Sequence, residues 1–254
     1  MPDAVLVEIA DGIAVLTINR PEARNAINGS VASGIASAIG ELDDRKDVSV
    51  LIMTGAGGYF SAGMDLKGFL SGDDPMAGDR GFGGIVEQPP TKPIIAAVEG
   101  YALAGGFELA LACDLIVASE QAQFGLPEVT RGLVAGAGGL LRLPERIPYH
   151  IAMEVALTGE RIPAARLHEV GLINRLVPAG ESLSAARELA RRIAANAPLA
   201  LAATKRVIVE SRDWPRGHAF ARQGEIIAPV FGSKDAIEGA GAFAEKRKPV
   251  WRGE

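Results

Sequence analysis

The sequence predicts an α/β fold with at least partly parallel strands, and three observations lead there. Strand-like and helix-like stretches alternate through the first part of the chain, the order expected of a sheet with crossover helices. The run "VSVLIMT" at 48–54 is almost uninterrupted in apolar residues, as a strand buried on both faces requires. From Pro148 onward the pattern turns almost entirely helical, with one short exception at "LINRLVP".

Taken in order, Val5–Ile9 and Ile13–Asn19 are β-branched runs separated by "ADG", which predicts a hairpin. Residues 28–44 carry Ala and Ile at helical spacing. "GAGGYFSAG" then breaks regular structure, and 68–88 hold five glycines between Gly72 and Gly84 together with Asp73, Asp74 and Asp79. That composition predicts a mobile loop or weak helix outside the core. "KPIIAAVEG" restarts the strand pattern, "GGFELALAC" reads as helix, and "DLIVAS" as the next strand. Residues 181–247 read as three amphipathic helices, divided by Pro198, "DWPRG" and "PVFGS". This tail is too thin for a core of its own and is expected to pack on the first part, on another subunit, or on both. The sequence contains no internal repeat.

Size and composition narrow the function classes. A chain of 254 residues forms one large domain, or one with a small appendage. A net charge of −5 argues against a general nucleic-acid binder but leaves room for a local anion site. Cys113 is the single cysteine, which excludes an intrachain disulfide and a Cys-based zinc site. The acidic start lacks a secretory pattern, and no apolar run is long enough to span a bilayer. A soluble, cytoplasmic protein is expected.

Two loops carry exposed backbone N–H groups: "YFSAGMDLK" at 59–67 and "GYALAGGFE" at 100–108. Each follows a buried strand and leads towards a helix, a junction that leaves donors unpaired and adds positive helix-dipole potential. Two such donors converging on one point would stabilise an oxyanion. The alternative is that the glycines only turn the chain. Neither loop has the glycine spacing of a nucleotide fingerprint.

The apolar stretch "LAGGFELALACDLIVA" places Glu108 with no Lys or Arg in the window, and an unpaired buried charge is costly. Glu128, twenty residues later in "FGLPEVTRGLVAGAGG", is a second carboxylate. If the two meet, they form an acid and a base. If they do not, Glu108 lies on an exposed helix edge and Glu128 caps a turn or pairs with Arg131. The histidines, His150, His168 and His218, are scattered in polar contexts, and Cys113 reads as a small buried side chain. No His/carboxylate spacing supports a metal site.

The segments "NRPEARNAI", "FSAGMDLK", "KPIIAAVEGYALAGGFELALACDLIVAS", "AQFGLPEV", "AGAGGLLRLP", "AMEVALTGERI", "GLINRLVP" and "EGAGAFAEKRKP" together resemble the enoyl-CoA hydratase/isomerase (crotonase) family, across nearly the whole chain. The resemblance implies a crotonase-like spiral of ββα units over residues 1–195, carrying an acyl-CoA site. A C-terminal helical region at 196–254 would assemble trimers, which can pair into hexamers. It also implies an oxyanion hole made by the N–H groups of Met64 and Gly105. Glu108 and Glu128 would hold the water, and the Gly136 N–H would help to place it. Arg24, Ala62, Asp65, Leu66, Lys67 and, from the C-terminus, Lys246 match positions along the CoA groove. No tightly bound cofactor and no metal are implied; coenzyme A enters as part of the substrate. Two departures stand out: Ala104 occupies a position where many relatives have a third glycine, and the bulky Phe107 neighbours Glu108.

The expected reaction is hydration of a 2-enoyl-CoA. A Δ3-Δ2-enoyl-CoA isomerase is the nearest rival and needs only the carboxylate at Glu128. A non-catalytic acyl-CoA-binding protein is disfavoured by the two retained glutamates. An RNA-binding relative is disfavoured by the acidic balance.

Overall fold

The computed structural model describes residues 3–254. The chain opens with an antiparallel hairpin, β1 (Val5–Ala10) and β2 (Ile13–Ile18). Its turn residues Asp11 and Gly12 both have positive φ, which fits the right-handed twist of the flanking strands. Helix α1 (Gly29–Asp44) starts at Asn28, whose side chain accepts from the Val31 N–H. Its buried stripe of Val31, Ala32, Ile35, Ala38, Ile39 and Leu42 has the spacing of one helical face.

Three further strands follow, β3 (Val50–Gly55), β4 (Ile94–Val98) and β6 (Leu115–Ser119). With β9 (Arg175–Val177) they complete a six-stranded sheet in the order β1-β2-β3-β4-β6-β9, parallel from β2 onward. Short strands β5 (Tyr101–Leu103), β7 (Gln123–Gly125) and β8 (Ile162–Pro163) form a second sheet. Ser61 extends it by a parallel bridge to Ala102.

Successive passes therefore repeat one unit: a strand in the large sheet, a short strand or bridge in the small one, then a helix. The helices closing these passes are α2 (Leu66–Leu70), α3 (Gly105–Ala112) and α4 (Gly139–Arg146). This is the expected spiral of ββα units, and its repeat lies in the backbone rather than in the residue types. Beyond α4 come α5 (Tyr149–Thr158), α6 (Ala164–Glu169) and α7 (Ser182–Ala194).

Strands β2, β3, β4 and β6 are buried on both faces, as their largely apolar runs require. Leu16, Leu51, Met53, Ala96 and Ile116 meet α1 and α3 in one core. Val15, Ile52, Ile95, Ala97 and Val117 form a second core with Ala186 and Ala190 of α7. The small residues let α7 lie close on the sheet. The remaining helices, α8 (Pro198–Glu210), α9 (Ala219–Phe231) and α10 (Lys234–Glu245), behave differently. Neither α8 nor α9 has a buried residue. Phe220, Phe231, Ile237 and Phe243 stand exposed.

Three expectations are corrected here. The segment 68–88 is not outside the core: Phe82, Ile85 and Val86 are buried in the main cluster. Its glycines serve close passage, since a Cβ on Gly84 would overlap the carbonyl oxygen of Ala32 and one on Gly83 would stand 2.8 Å from Leu109 Cδ1. The helices within 181–247 number four, not three. Pro198 opens α8, where its missing N–H costs nothing, whereas Pro229 stays inside α9 and the break falls at Gly232. "LINRLVP" is also not the only strand after Pro148, because Ile162–Pro163 pairs with β7.

Candidate active site

The two glycine-rich loops are brought side by side by a set of backbone bonds. Buried Asn25 donates from Nδ2 to the carbonyls of Ala56 and Tyr59, at 2.8 and 2.7 Å. Ser61 Oγ donates to the Asn25 carbonyl at 2.8 Å. Ala62 N–H donates to Arg24 and Ile27 N–H to Gly63, while Asp65 N–H donates back to Ile27. On the other side Ser61 N–H donates to Tyr101, and Leu103 N–H to Ser61. This ladder skips Met64. Among the described residues no acceptor takes the Met64 N–H or the Gly105 N–H.

The approach is close because Gly63 has no side chain. A Cβ there would lie 2.7 Å from Ala104 Cβ and 3.0 Å from the Gly105 nitrogen. Gly105 is the first residue of α3, so its free N–H is added to the positive end of the helix. Phe82 roofs it: a Cβ on Gly105 would stand 2.5 Å from the ring. Ala104, just before the helix, is held at φ 51°, ψ −130°, a conformation that favours glycine. The departure noted in the sequence is therefore a strained position. Phe107, the other departure, turns into the core and packs edge-on against Phe124 at 5.2 Å.

Glu108 sits one turn into α3 and is only 3% exposed, which removes the exposed-edge alternative. Its Oε1 accepts from the N–H groups of Ala137 and Gly139, both at 2.8 Å. Gly139 must be small here, since its Cβ would meet Glu108 Cγ and Oε1 at 3.0 Å. Burial pushes the Glu108 pKa up; the Gly139 and Ala137 N–H groups and the Arg142 charge oppose the rise.

Glu128 lies on a 3-10 turn, Pro127–Arg131. Burial raises its pKa too, and the nearby charge of Glu108 raises it further, against its own backbone N–H and Arg131. Its Oε2 is buried and has no partner among the described residues. The charge of Glu108 is thus felt at Glu128, although no hydrogen bond joins the two side chains among the described residues. Chemically, two partly buried carboxylates with raised pKa values can act as an acid and a base, and two unpaired N–H groups can receive an oxyanion.

The other expected positions divide. Arg24 and Ala62 are joined through their backbones, and Arg24, Leu66 and Lys67 are exposed beside the first loop. Asp65 is engaged within the chain: it caps α2 through the Gly68 N–H and pairs with Arg20 at 2.9 Å. Gly68 first, then Arg20, hold its carboxyl below the ordinary value. Gly136 is exposed, and the N–H groups that reach Glu108 belong to Ala137 and Gly139 instead. Lys246 ends α10 in the left-handed conformation; among the described residues no hydrogen bond ties it to the loops.

Sequence reasoning missed Ala137, Gly139, Arg142 and Phe82. The paired glycines in "AGAGG" were the available signal for the first two. Cys113 is buried, its thiol pushed up to about 12 by that burial. Among the described residues no group of three or more His, Cys, Asp or Glu could hold a metal ion. No helix among them is long and apolar enough to cross a membrane.

Known proteins match along nearly the full length. The profile described as enoyl-CoA hydratase/isomerase covers residues 8–254. A carnitinyl-CoA dehydratase of Salmonella paratyphi A is 43% identical over 249 residues, 95% of each chain. The crystal structure of an enoyl-CoA hydratase from Mycobacterium tuberculosis is 60% identical, with a TM-score of 0.97 over 99% of this chain and 100% of that one. That of a carnitinyl-CoA hydratase from Mycobacterium avium is 43% identical, with a TM-score of 0.80 over the whole of both. With this fold and these matches, the chain belongs to the enoyl-CoA hydratase/isomerase family.

Proposed function

We propose that the protein is a 2-enoyl-CoA hydratase, adding water across the 2,3-double bond of an acyl thioester. The observation that supports this reading is Glu108, held by two N–H groups on the helix that begins with the free N–H of Gly105, with its charge felt at the partnerless carboxylate of Glu128. The thioester oxygen accepts from both donors. As electron density moves onto it, fixed donors favour the enolate-like state over the ground state.

Glu108, oriented by Ala137 and Gly139, takes a proton from water while the water oxygen bonds to C3. Glu128 delivers a proton to C2. The atoms of one water are thereby added, and each carboxylate ends in the other's starting state. An isomerase would need the shuttling carboxylate alone, so a held Glu108 favours hydration. Arg24, Ala62, Asp65, Leu66 and Lys67 line the CoA groove, Lys246 reaches it from a neighbouring subunit, and Gly136 helps to place the water. The exposed aromatic residues of α9 and α10 serve self-association as a trimer or a pair of trimers.

The relatives named for carnitinyl-CoA support a second substrate, a 3-hydroxyacyl thioester bearing a quaternary ammonium group. The deciding assay follows loss of the conjugated absorbance of crotonyl-CoA, of longer 2-enoyl-CoAs, and of crotonobetainyl-CoA in parallel. Turnover of at least one, abolished in Glu108→Gln, is expected. Turnover of 3-enoyl-CoA alone would replace the reading with isomerisation.

A further inference from the structure

Arg142, on α4, reaches three parts of the site at once. Its Nη2 donates to the carbonyl of Val86, at the end of the buried stretch whose Phe82 roofs Gly105. Its Nη1 fills the space over Gly138, where a Cβ would overlap it. Gly138 lies between the two residues, Ala137 and Gly139, whose N–H groups hold Glu108. Arg142 is itself a charge partner of Glu108. One guanidinium therefore ties to the 82–86 segment at Val86 and lies against the 136–139 loop at Gly138, and its charge acts on the carboxylate.

Glu128 has no comparable support. Its Oε2 is buried without a partner, and Arg131 is the cation acting on it. The charged groups facing Glu108 are Arg142 from α4 and Glu128 from the 127–131 turn. Arg142 faces Glu145, Arg212 and the Cys113 thiol in turn. Burial disfavours charge on both carboxylates; Arg142 and two backbone donors oppose it at Glu108, Arg131 and a single backbone N–H at Glu128.

We propose that Arg142 is a positioning residue that braces the 82–86 segment against the 136–139 loop and holds Glu108 as the carboxylate, leaving Glu128 to carry the proton. The catalytic consequence rests on the hydratase reading above; the coupling itself is a property of the free protein. Arg142 touches no reacting atom. It sets which glutamate starts as the base.

The test titrates the free protein, carbon-13-labelled at the glutamate carboxyl, by NMR, with the Glu108 signal assigned by its loss in Glu108→Gln. Arg142→Gln should raise the Glu108 midpoint by about one pH unit, while Arg142→Lys, which keeps the charge, should leave it within about half a unit. In crotonyl-CoA hydration the acid limb of kcat/KM should move with that midpoint, kcat falling more than KM rises. An unmoved midpoint in Arg142→Gln, or equal rises in both variants, overturns the proposal. Should Arg142→Gln not fold, the wild-type chain decides the matter. Its Arg142 guanidinium nitrogen-15 signals should titrate with Glu108 and become flat in Glu108→Gln, and signals that never move overturn the proposal. If the midpoint rises but no enoyl-CoA is hydrated, the hydratase reading falls and the coupling stands.

Discussion

The wall that carries Glu108 is a helix buried at every residue, clamped from across the site by two N–H groups, whereas Glu128 rides a five-residue 3-10 turn with no buried residue and a carboxylate oxygen that nothing holds. Both glutamates have raised pKa values, and in both burial is the first cause. They differ in what opposes that cause. Glu108 is compensated as an anion, so its geometry is fixed and its charge tolerated. Glu128 is penalised as an anion by both burial and the charge of Glu108, against only its own backbone N–H and Arg131. Under the proposed hydration, two identical side chains would acquire opposite roles from their supports.

The largest expected effect separates these roles directly. Glu108→Gln and Glu128→Gln should each lower hydration by about 10²–10⁴-fold. Exchange of the C2 hydrogens of a saturated acyl-CoA with deuterated water, followed by mass spectrometry, should survive in Glu108→Gln and disappear in Glu128→Gln. Loss of exchange in both variants alike would break the comparison.

A smaller effect probes the clamp. Gly139→Ala puts a Cβ 3.0 Å from Glu108 Cγ and Oε1, and 3.2 Å from Leu126 Cδ2, so the loop or the carboxylate must give way. Since misplacement of a catalytic group by about 1 Å can cost 10²-fold, a shift of a few tenths should lower kcat by about 10-fold. KM for crotonyl-CoA should stay nearly constant. An unchanged kcat would mean that the two N–H donors do not set the position of Glu108.

Much of this arrangement was legible in the residues themselves. The hairpin, α1, β3 and the passage from β4 to β6 follow from apolar periodicity and turn chemistry, which act locally. Glu108 announced itself as a charge in an apolar helix. What holds it was not legible, because Ala137 and Gly139 are 29 and 31 residues away and act through backbone N–H groups that no side chain marks. Resemblance, not spacing, supplied the pairing with Glu128. The 68–88 segment misled for the opposite reason: glycine reads as freedom in sequence, while Gly83 and Gly84 are there to let chains touch.

The next prediction concerns stability against pH. A carboxyl whose folded pKa is raised contributes stability that is present in full below its unfolded value, here 4.5, and lost as pH rises through the folded value. Glu128→Gln removes that loss without removing the side chain's volume. Its melting temperature should therefore gain on the wild type between pH 4.5 and pH 7. Parallel curves would show that Glu128 is as well accommodated ionised as protonated, and the contrast with Glu108 would fail.

The smallest effect lies at the entrance to the helix of Glu108. Ala104 has φ 51°, ψ −130°, and its carbonyl accepts the first helical bonds from Phe107 and Glu108. A side chain in such a region costs of order 1–3 kcal/mol, and glycine removes that cost while losing about 0.5–1 kcal/mol to its greater freedom when unfolded. Ala104→Gly should therefore stabilise by about 1 kcal/mol, read as a higher urea midpoint with an unchanged slope. Activity should change little, because the Gly105 N–H keeps its place at the helix start. A destabilised Ala104→Gly variant would instead mean that the Ala104 methyl, which a Cβ on Gly63 would approach to 2.7 Å, packs the two loops together. The rigidity of Glu108's wall would then begin at the two glycine-rich loops rather than at the clamp.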